Sequence, residues 1–221
     1  MEKIERIRHS LAHIMAYAVK ELYPGVKFGI GPVIENGFYY DFSIEAFGEG
    51  GLSIHDLPKI EAKIREFISK NINFKKKLIS KNEARKIFQT QPYKLELIDE
   101  IKEKDVSIYT SGSFRDLCLG PHVKSTKEIP LDSFKLTKIA GAYWRGSEKN
   151  PMLTRIYGVA FETKRKLEDY VKLQEESEKR DHRKLGQLLD LFSFHTVSPG
   201  APFWHPKGMI IFKELQKWWR K

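Results

Sequence analysis

The sequence predicts an α+β fold, with mixed helices and antiparallel hairpins forming one domain and a long linker helix after it. Three observations lead there. Apolar residues recur at helical spacing over the first two dozen positions, strand-forming runs bracket turn signals further on, and strands do not alternate regularly with helices as a parallel sheet would require.

Ile4, Ile7, Leu11, Ile14, Met15, Ala18 and Leu22 repeat with a helical period up to the stop signal Tyr23-Pro24-Gly25, which defines the first helix. At about 100° per residue its other side carries His9, Ala12, His13 and Ala16. A solvated face would show Lys and Glu, so this side is covered or lines a cleft. Phe28 to Phe42 is rich in strand formers around Asn36-Gly37, a type I′ hairpin signal because both turn positions need positive φ. Gly29-Ile30-Gly31-Pro32 runs into that hairpin instead of a helix, which excludes a nucleotide-binding loop.

Asp56 caps a helix carrying Ile60, Ile64, Phe67 and Ile68, and Ile72 to Ile79 reads as a strand interrupted by Lys75-Lys76-Lys77. Ser80 and Glu83 have capping-box spacing for a short helix, and Tyr93 to Ile101 forms another after Gln91-Pro92. Val106 to Thr110 is a strand whose turn at Ser111-Gly112 leads through Phe114-Arg115-Asp116 to Cys118. Leu119-Gly120-Pro121-His122 is a tight loop, since Pro121 breaks pairing and Gly120 allows close backbone approach. Strand-like runs at Phe134 to Trp144 and Thr154 to Phe161 complete a domain over residues 1-162. Residues 163-192 read as a charged linker helix ending in a leucine cluster. Residues 193-221 hold a turn-rich loop, Ser198 to Gly208, and an amphipathic helix from Met209 to Lys221.

A hydrophobic fraction of 41% and an aromatic fraction of 12% supply a sizeable core, which excludes a disordered chain. Lys and Arg exceed Asp and Glu by 39 − 29 = 10, and the pI is near 9.5. That balance favours a polyanionic partner such as nucleic acid or an acidic membrane surface, with simple solubility charge as the alternative that charge alone leaves open. The single cysteine excludes an intramolecular disulfide and fits a reducing compartment. The charged N-terminus lacks a signal-peptide core and no run approaches the ~20 apolar residues of a membrane span, so the sequence reads as soluble and cytoplasmic.

His9 and His13, four apart on a helix, point the same way one turn apart. Cys118 and His122 repeat that spacing in a loop. Each pair alone is ordinary; two such pairs in a chain with one Cys and seven His suggest convergence. Three imidazoles and a thiolate can complete a zinc shell or hold a zinc-activated water. The same residues can form a metal-free hydrolytic site with His as base. Composition leaves both open.

The segments His9-Ser10-Leu11-Ala12-His13, Cys118-Leu119-Gly120-Pro121-His122 and Asn36-Gly37-Phe38-Tyr39-Tyr40-Asp41 resemble the editing domain of bacterial-type threonyl-tRNA synthetases. Asp181-His182-Arg183-Lys184-Leu185-Gly186, Leu189-Asp190-Leu191-Phe192 and Pro202 to Gly208 resemble that family's entry into its class II catalytic core. The resemblance covers essentially the whole chain. The family's small N-terminal ubiquitin-like domain has no counterpart in it, and the sequence stops within the first class II motif, short of the aminoacylation residues.

The resemblance implies post-transfer editing, the hydrolysis of seryl-tRNA(Thr). It makes residues 1-162 the editing domain, 163-192 the linker helix and 193-221 the start of the class II domain. It also implies that His9, His13, Cys118, His122 and Lys94 form the catalytic set, with His9 as base or water-positioner and Lys94 activating water or stabilising the oxyanion. Asp116 would bind the serine amino group or hydroxyl, and Tyr40 would line the pocket or contact the terminal nucleotide. Without the resemblance, Asp116 is a hairpin-end ion-pair partner, Tyr40 a core strand residue and Lys94 a solvated helix residue.

The implied partners are the tRNA acceptor end and its seryl-adenosine, with no membrane and a homodimeric parent enzyme. Lys75, Lys76, Lys77, Arg85 and Lys86 are candidate phosphate contacts. Zinc-binding alanyl-tRNA editing relatives carry Thr where this loop has Pro121, so the resemblance implies that no cofactor is required and disfavours zinc on His9, His13, Cys118 and His122. Two alternatives stand beside editing: a zinc-dependent alanyl-tRNA deacylase, and a non-catalytic tRNA-binding or dimerisation module seeded by Asp181 to Lys221.

Overall fold

The computed structural model describes residues 2–43 and 51–220; Met1 and Lys221, the outer ends of two expected segments, lie outside them. The chain divides into two compact units, Met1–Leu167 and Glu168–Lys221.

Helix α1 (Lys3–Leu22) begins at a capping box in which the Glu2 backbone N–H donates to the Glu5 carboxylate at 2.8 Å. From Ile7 to Val19 every α1 residue except His9 is buried, so both sides are covered, as the missing Lys and Glu foretold. Leu11, Ile14 and Met15 are wholly inaccessible, each contributing roughly 1.5–3 kcal/mol of apolar burial. Buried Arg8 donates to the carbonyls of Ala160 (3.0 Å) and Glu35 (2.5 Å), pinning the helix across 152 residues of sequence.

Against α1 lies a five-stranded antiparallel sheet in the order β1 (Lys27–Phe28), β3 (Gly37–Ser43), β8 (Met152–Ala160), β7 (Phe134–Tyr143), with β2 (Val33–Ile34) also pairing with β3. Phe38, Tyr40 and Phe42 alternate onto the inner face and join α1 and α2 (Leu57–Ser69) in the main core. The expected hairpin is present, but its turn is Glu35-Asn36, since Ile34 pairs with Gly37. Neither Asn36 nor Gly37 has positive φ. Gly37 is required for another reason: a Cβ there would sit 2.0 Å from the Gly158 carbonyl oxygen on β8. Gly31 likewise lies flat against the Tyr40 ring, where a Cβ would come within 2.2 Å.

A second antiparallel sheet runs β4 (Phe74–Ser80), β5 (Asp105–Ser111), β6 (Phe114–Leu117). Its back face, with Ile79, Val106 and Ile108, packs on α3 (Lys81–Ile87) and α4 (Pro92–Glu100) through Ala84, Phe88 and Ile98. Ser80 caps α3 by accepting the Glu83 N–H. The predicted Asp56 cap differs: its carboxylate turns back to accept the Ser53 N–H at 2.8 Å. The turn between β5 and β6 is Gly112-Ser113, with Gly112 at φ +58°.

The second unit continues α5 (Lys164–Lys179), the long helix expected from the sequence. A shorter helix, α6 (His182–Leu188), follows because the Asp181 carboxylate takes the Arg183 N–H at 2.8 Å and starts a new helix. The turn-rich segment contains a strand, β10 (Phe203–Trp204), paired with β9 (Phe192–Ser193). Helix α7 (Pro206–Trp219) starts three residues before the predicted Met209, with Pro206 in its first turn. Among the described residues no helix is long and apolar enough to cross a membrane.

Candidate active site

The period of two along β4, β5 and β6 puts three cross-strand rows on one face of this sheet. Phe74, Ser111 and Phe114 form one row, and Lys76, Tyr109 and Asp116 the next. Leu78 and Ser107 begin the third, which Cys118 extends by donating its N–H to the Ser107 carbonyl at 3.2 Å. His9 and His13 reach this face from α1. The Cys118–His122 loop closes over it, because Gly120 at φ +75° presses against the Tyr109 hydroxyl where any Cβ would collide at 2.2 Å.

The His9 Nε2 and His122 Nε2 atoms lie 3.2 and 3.3 Å from Cys118 Sγ, and the two rings are 4.2 Å apart. The Pro121 carbonyl can only accept, so His9 Nδ1, 3.3 Å away, carries the proton and leaves Nε2 with its lone pair facing the thiol. On the other side, Ser10 accepts the Val123 N–H at 3.0 Å and meets His122 Nδ1 at 3.1 Å. Two arrangements of hydrogens satisfy these contacts: Ser10 O–H to His122 Nδ1 with His122 Nε2–H to Cys118 Sγ and Cys118 S–H to His9 Nε2, or His122 Nδ1–H to Ser10 Oγ, which leaves His122 Nε2 with its lone pair facing the sulfur.

Electrostatics keep this chain neutral. Burial lowers the pKa of His9, lowers that of His13 to about 4, and drives His122 far below the usual histidine range, with His13 and His9 adding repulsion. Burial raises the Cys118 thiol to about 11. His13 is 2% exposed, wedged edge-on against Phe74, Phe114 and His122, and neither of its ring nitrogens has a hydrogen-bond partner among the described residues.

Beside this cluster, Lys94, Asp116 and Tyr40 converge from α4, β6 and β3, all buried. Lys94 Nζ is 2.5 Å from Asp116 Oδ1 and donates to the Tyr40 hydroxyl at 3.0 Å, and that hydroxyl donates to Asp116 Oδ2 at 2.6 Å. Asp116 and Cys118, two residues apart on the same extended run, lie on one face of the sheet, so the two clusters adjoin and the charge of Asp116 acts on His9, His13 and Cys118. All seven residues singled out in the sequence therefore meet. Ser10, Ser107 and Tyr109 were missed. Ser10 sits inside the His9–His13 motif and Ser107 holds the Cys118 carbonyl at 2.5 Å. Tyr109 packs edge-on against His122 at 4.5 Å. Only the strand register could have found the last two.

The donor set fits a metal ion, which corrects the expectation that zinc is disfavoured. In a tetrahedral zinc shell, metal-ligand bonds of ~2.0–2.3 Å put neighbouring donors roughly 3.3–3.6 Å apart. The His9, Cys118 and His122 donors all lie within 4.8 Å of one another, with both imidazoles near that spacing from the sulfur. Pro121, the residue that argued against zinc, lends the carbonyl that frees His9 Nε2. His13 lies outside this trio.

The basic run divides. Lys76 shares the site face, whereas Lys77 is on the back face paired with Glu83 (3.1 Å), and Arg85 is held by Asp99 (2.7 Å).

Residues 106–157, which include β5 from its second residue, β6, the Cys118 loop and β7, match the family model described as the threonyl and alanyl tRNA synthetase second additional domain. The whole chain is 53% identical over 223 aligned residues to threonine-tRNA ligase of Thermotoga maritima, of which it covers 34%. It is equally similar to that of Thermotoga neapolitana, and 99% of it is 50% identical to that of Francisella tularensis subsp. novicida, again with 34% of the relative covered. The chain thus spans about a third of the length of these curated relatives. From end to end the chain is similar to a third of the length of these threonine-tRNA ligases, and its Cys118 loop lies in the part that matches the threonyl and alanyl tRNA synthetase second additional domain.

Proposed function

We propose that the chain performs post-transfer editing, hydrolysing the ester of seryl-tRNA(Thr). The observation that carries this reading is the meeting of the Lys94–Asp116–Tyr40 triad with the His9–Cys118–His122 cluster on one sheet face. A synthetase pocket for threonine separates serine by one methyl group, worth only ~1–3 kcal/mol, so a second, hydrolytic site is chemically needed.

In this reading Asp116, fixed by Tyr40, receives the serine α-ammonium, and Lys94 faces the ester carbonyl, where negative charge develops. His9, neutral at physiological pH, positions the attacking water at Nε2 or takes its proton. Water adds to the carbonyl carbon, the bond to the ribose oxygen breaks, and that oxygen leaves protonated. His9, Cys118 and His122 are the residues that would hold zinc, and zinc bound there supplies Lewis-acid polarisation of a bound oxygen. His13 and His122 stay uncharged and shape the wall.

The same reading assigns residues 1-162 to editing, 163-192 to a linker and 193-221 to the start of a class II domain. It supposes a tRNA acceptor end as partner, a cytoplasmic setting and a homodimeric parent. Deacylation of seryl-, threonyl- and alanyl-tRNA by the parent chain, His9→Ala and Cys118→Ala, with and without chelator and zinc add-back, tests it. Seryl preference lost in both variants supports editing. Alanyl preference establishes the alanyl deacylase instead, and tRNA binding without turnover establishes a binding module.

A further inference from the structure

Lys94 reaches the site from α4, a helix that the five-stranded sheet holds at two places. At its start the Gln91 side chain accepts the Phe28 N–H at 2.9 Å and donates to the Val26 carbonyl at 3.2 Å, which ties α4 to the β1 edge. Further along, the turn between β7 and β8 closes on it. Trp144, 4% exposed, packs with Tyr93 and Leu153 in a small core of their own, its ring 4.9 Å from that of Tyr93. Its Nε1–H donates to the Glu96 carboxylate at 2.8 Å. Arg145 pairs with Glu96 at 3.5 Å and with Glu100, and its guanidinium lies 5.5 Å from the centre of the Trp144 ring.

Arg145 holds a left-handed backbone, φ +57° and ψ 22°, where glycine is the favoured residue. Its ion pairs are half-exposed and add little stability, but they fix the rotation of α4 about its axis. At about 100° per residue, Tyr93, Glu96, Leu97 and Glu100 share the face turned to Trp144 and Arg145, while Lys94 projects a quarter-turn away towards Asp116 and Tyr40. Lys94 Nζ lies on the order of 8 Å from the helix axis, so a roll of roughly 10° carries it about 1.4 Å. A displacement of that size costs a reacting group up to about a hundredfold in rate. The ammonium is 2% exposed, and close packing keeps it from swinging to absorb the roll. Its partners sit on different sheets, Asp116 on β6 and Tyr40 on β3, so α4 decides how the three meet.

We propose that Trp144 and Glu96 are positioning residues for Lys94, forming a latch that sets the roll of α4. The proposal rests on the editing reading, in which Lys94 faces the ester carbonyl, and extends it to two residues that touch no substrate. The competing account is a turn that supports stability alone, in which case its loss would act on hydrolysis whether or not Lys94 is present.

The test follows hydrolysis of seryl-tRNA by the full 221-residue chain carrying Glu96→Ala, Glu96→Gln or Trp144→Phe, each also in a Lys94→Met background. Glu96→Ala and Trp144→Phe lower kcat by about tenfold while KM changes by less than about twofold. Glu96→Gln, which still accepts from the indole, recovers most of the loss. With Lys94→Met in place, neither Glu96→Ala nor Trp144→Phe lowers the residual rate further. An equal loss in both backgrounds, or a loss confined to KM, overturns the proposal. If Lys94→Met does not fold, the ¹³Cε and ¹⁵Nζ resonances of Lys94 in Glu96→Ala decide: a shift supports the latch and an unchanged signal overturns it. A parent chain that leaves seryl-tRNA intact overturns the editing reading, and the same resonances still test the latch.

Discussion

Ser10 Oγ lies 3.1 Å from His122 Nδ1 while accepting the Val123 N–H at 3.0 Å, so one wholly buried hydroxyl joins α1 to the loop that carries Cys118. It also fixes which nitrogen of His122 faces the sulfur as a donor or a ligand. Ser10→Ala leaves two buried polar groups unpaired and is expected to cost about 1–3 kcal/mol of stability. Urea unfolding gives the cost, and the ¹⁵N shifts of His122 report a changed or mixed tautomer. An unchanged imidazole spectrum removes Ser10 from this role.

Lys94 and Asp116 form a buried pair, so removing one partner strands the other. Asp116→Ala and Lys94→Ala are each expected to lose roughly 3–5 kcal/mol, and Lys94→Met with Asp116→Leu less than the sum of the single losses. A double-mutant cycle by chemical denaturation measures the coupling; strict additivity contradicts the pairing.

The thiol of Cys118 is raised to about 11 by burial, so at pH 8 its thiolate is scarce and alkylation should run on the order of 100-fold slower than for a free cysteine. Zinc stabilises the thiolate and releases its proton on binding. Isothermal titration with zinc in two buffers of different ionisation enthalpy should show about one ion bound per chain with proton release. The stoichiometry should collapse in Cys118→Ala and in His122→Ala.

Stability should fall on mild acidification. His13 has a folded pKa of about 4 against an unfolded value near 6.5. The folded state therefore binds fewer protons, and its advantage is complete above about pH 6.5 and shrinks as pH drops towards 4. His13 accounts for on the order of 3 kcal/mol across that window, and the lowered values of His9 and His122 act in the same direction. Urea midpoints between pH 7.5 and 4.5 record the slope, which should flatten in His13→Leu.

Gly31→Ala should disturb the site through Tyr40, because the new methyl would meet the Tyr40 ring at 2.2 Å and push its hydroxyl off Asp116. The expected outcome is a loss of about 1–3 kcal/mol from overpacking together with a fall in ester hydrolysis. Activity retained at full stability would mean that Tyr40 does not hold Asp116.

The sequence by itself determined the elements whose signals are local. Helix α1 follows from apolar spacing, the β2–β3 hairpin and the Gly120-Pro121 loop from their turn residues, and the pairing of His9 with His13 and of Cys118 with His122 from spacing. It placed the hairpin turn one residue late, because Asn36-Gly37 signals positive φ while Gly37 is needed for close approach to Gly158, a contact 121 residues away. Strand register across β4, β5 and β6 was equally invisible. Only that register puts Lys76, Tyr109 and Asp116 in one row and turns Lys77 to the back. The tertiary structure also showed that the donors can hold a metal: their spacing depends on how α1 meets the Cys118 loop, and a substitution such as Pro121 cannot report a distance between residues 109 positions apart.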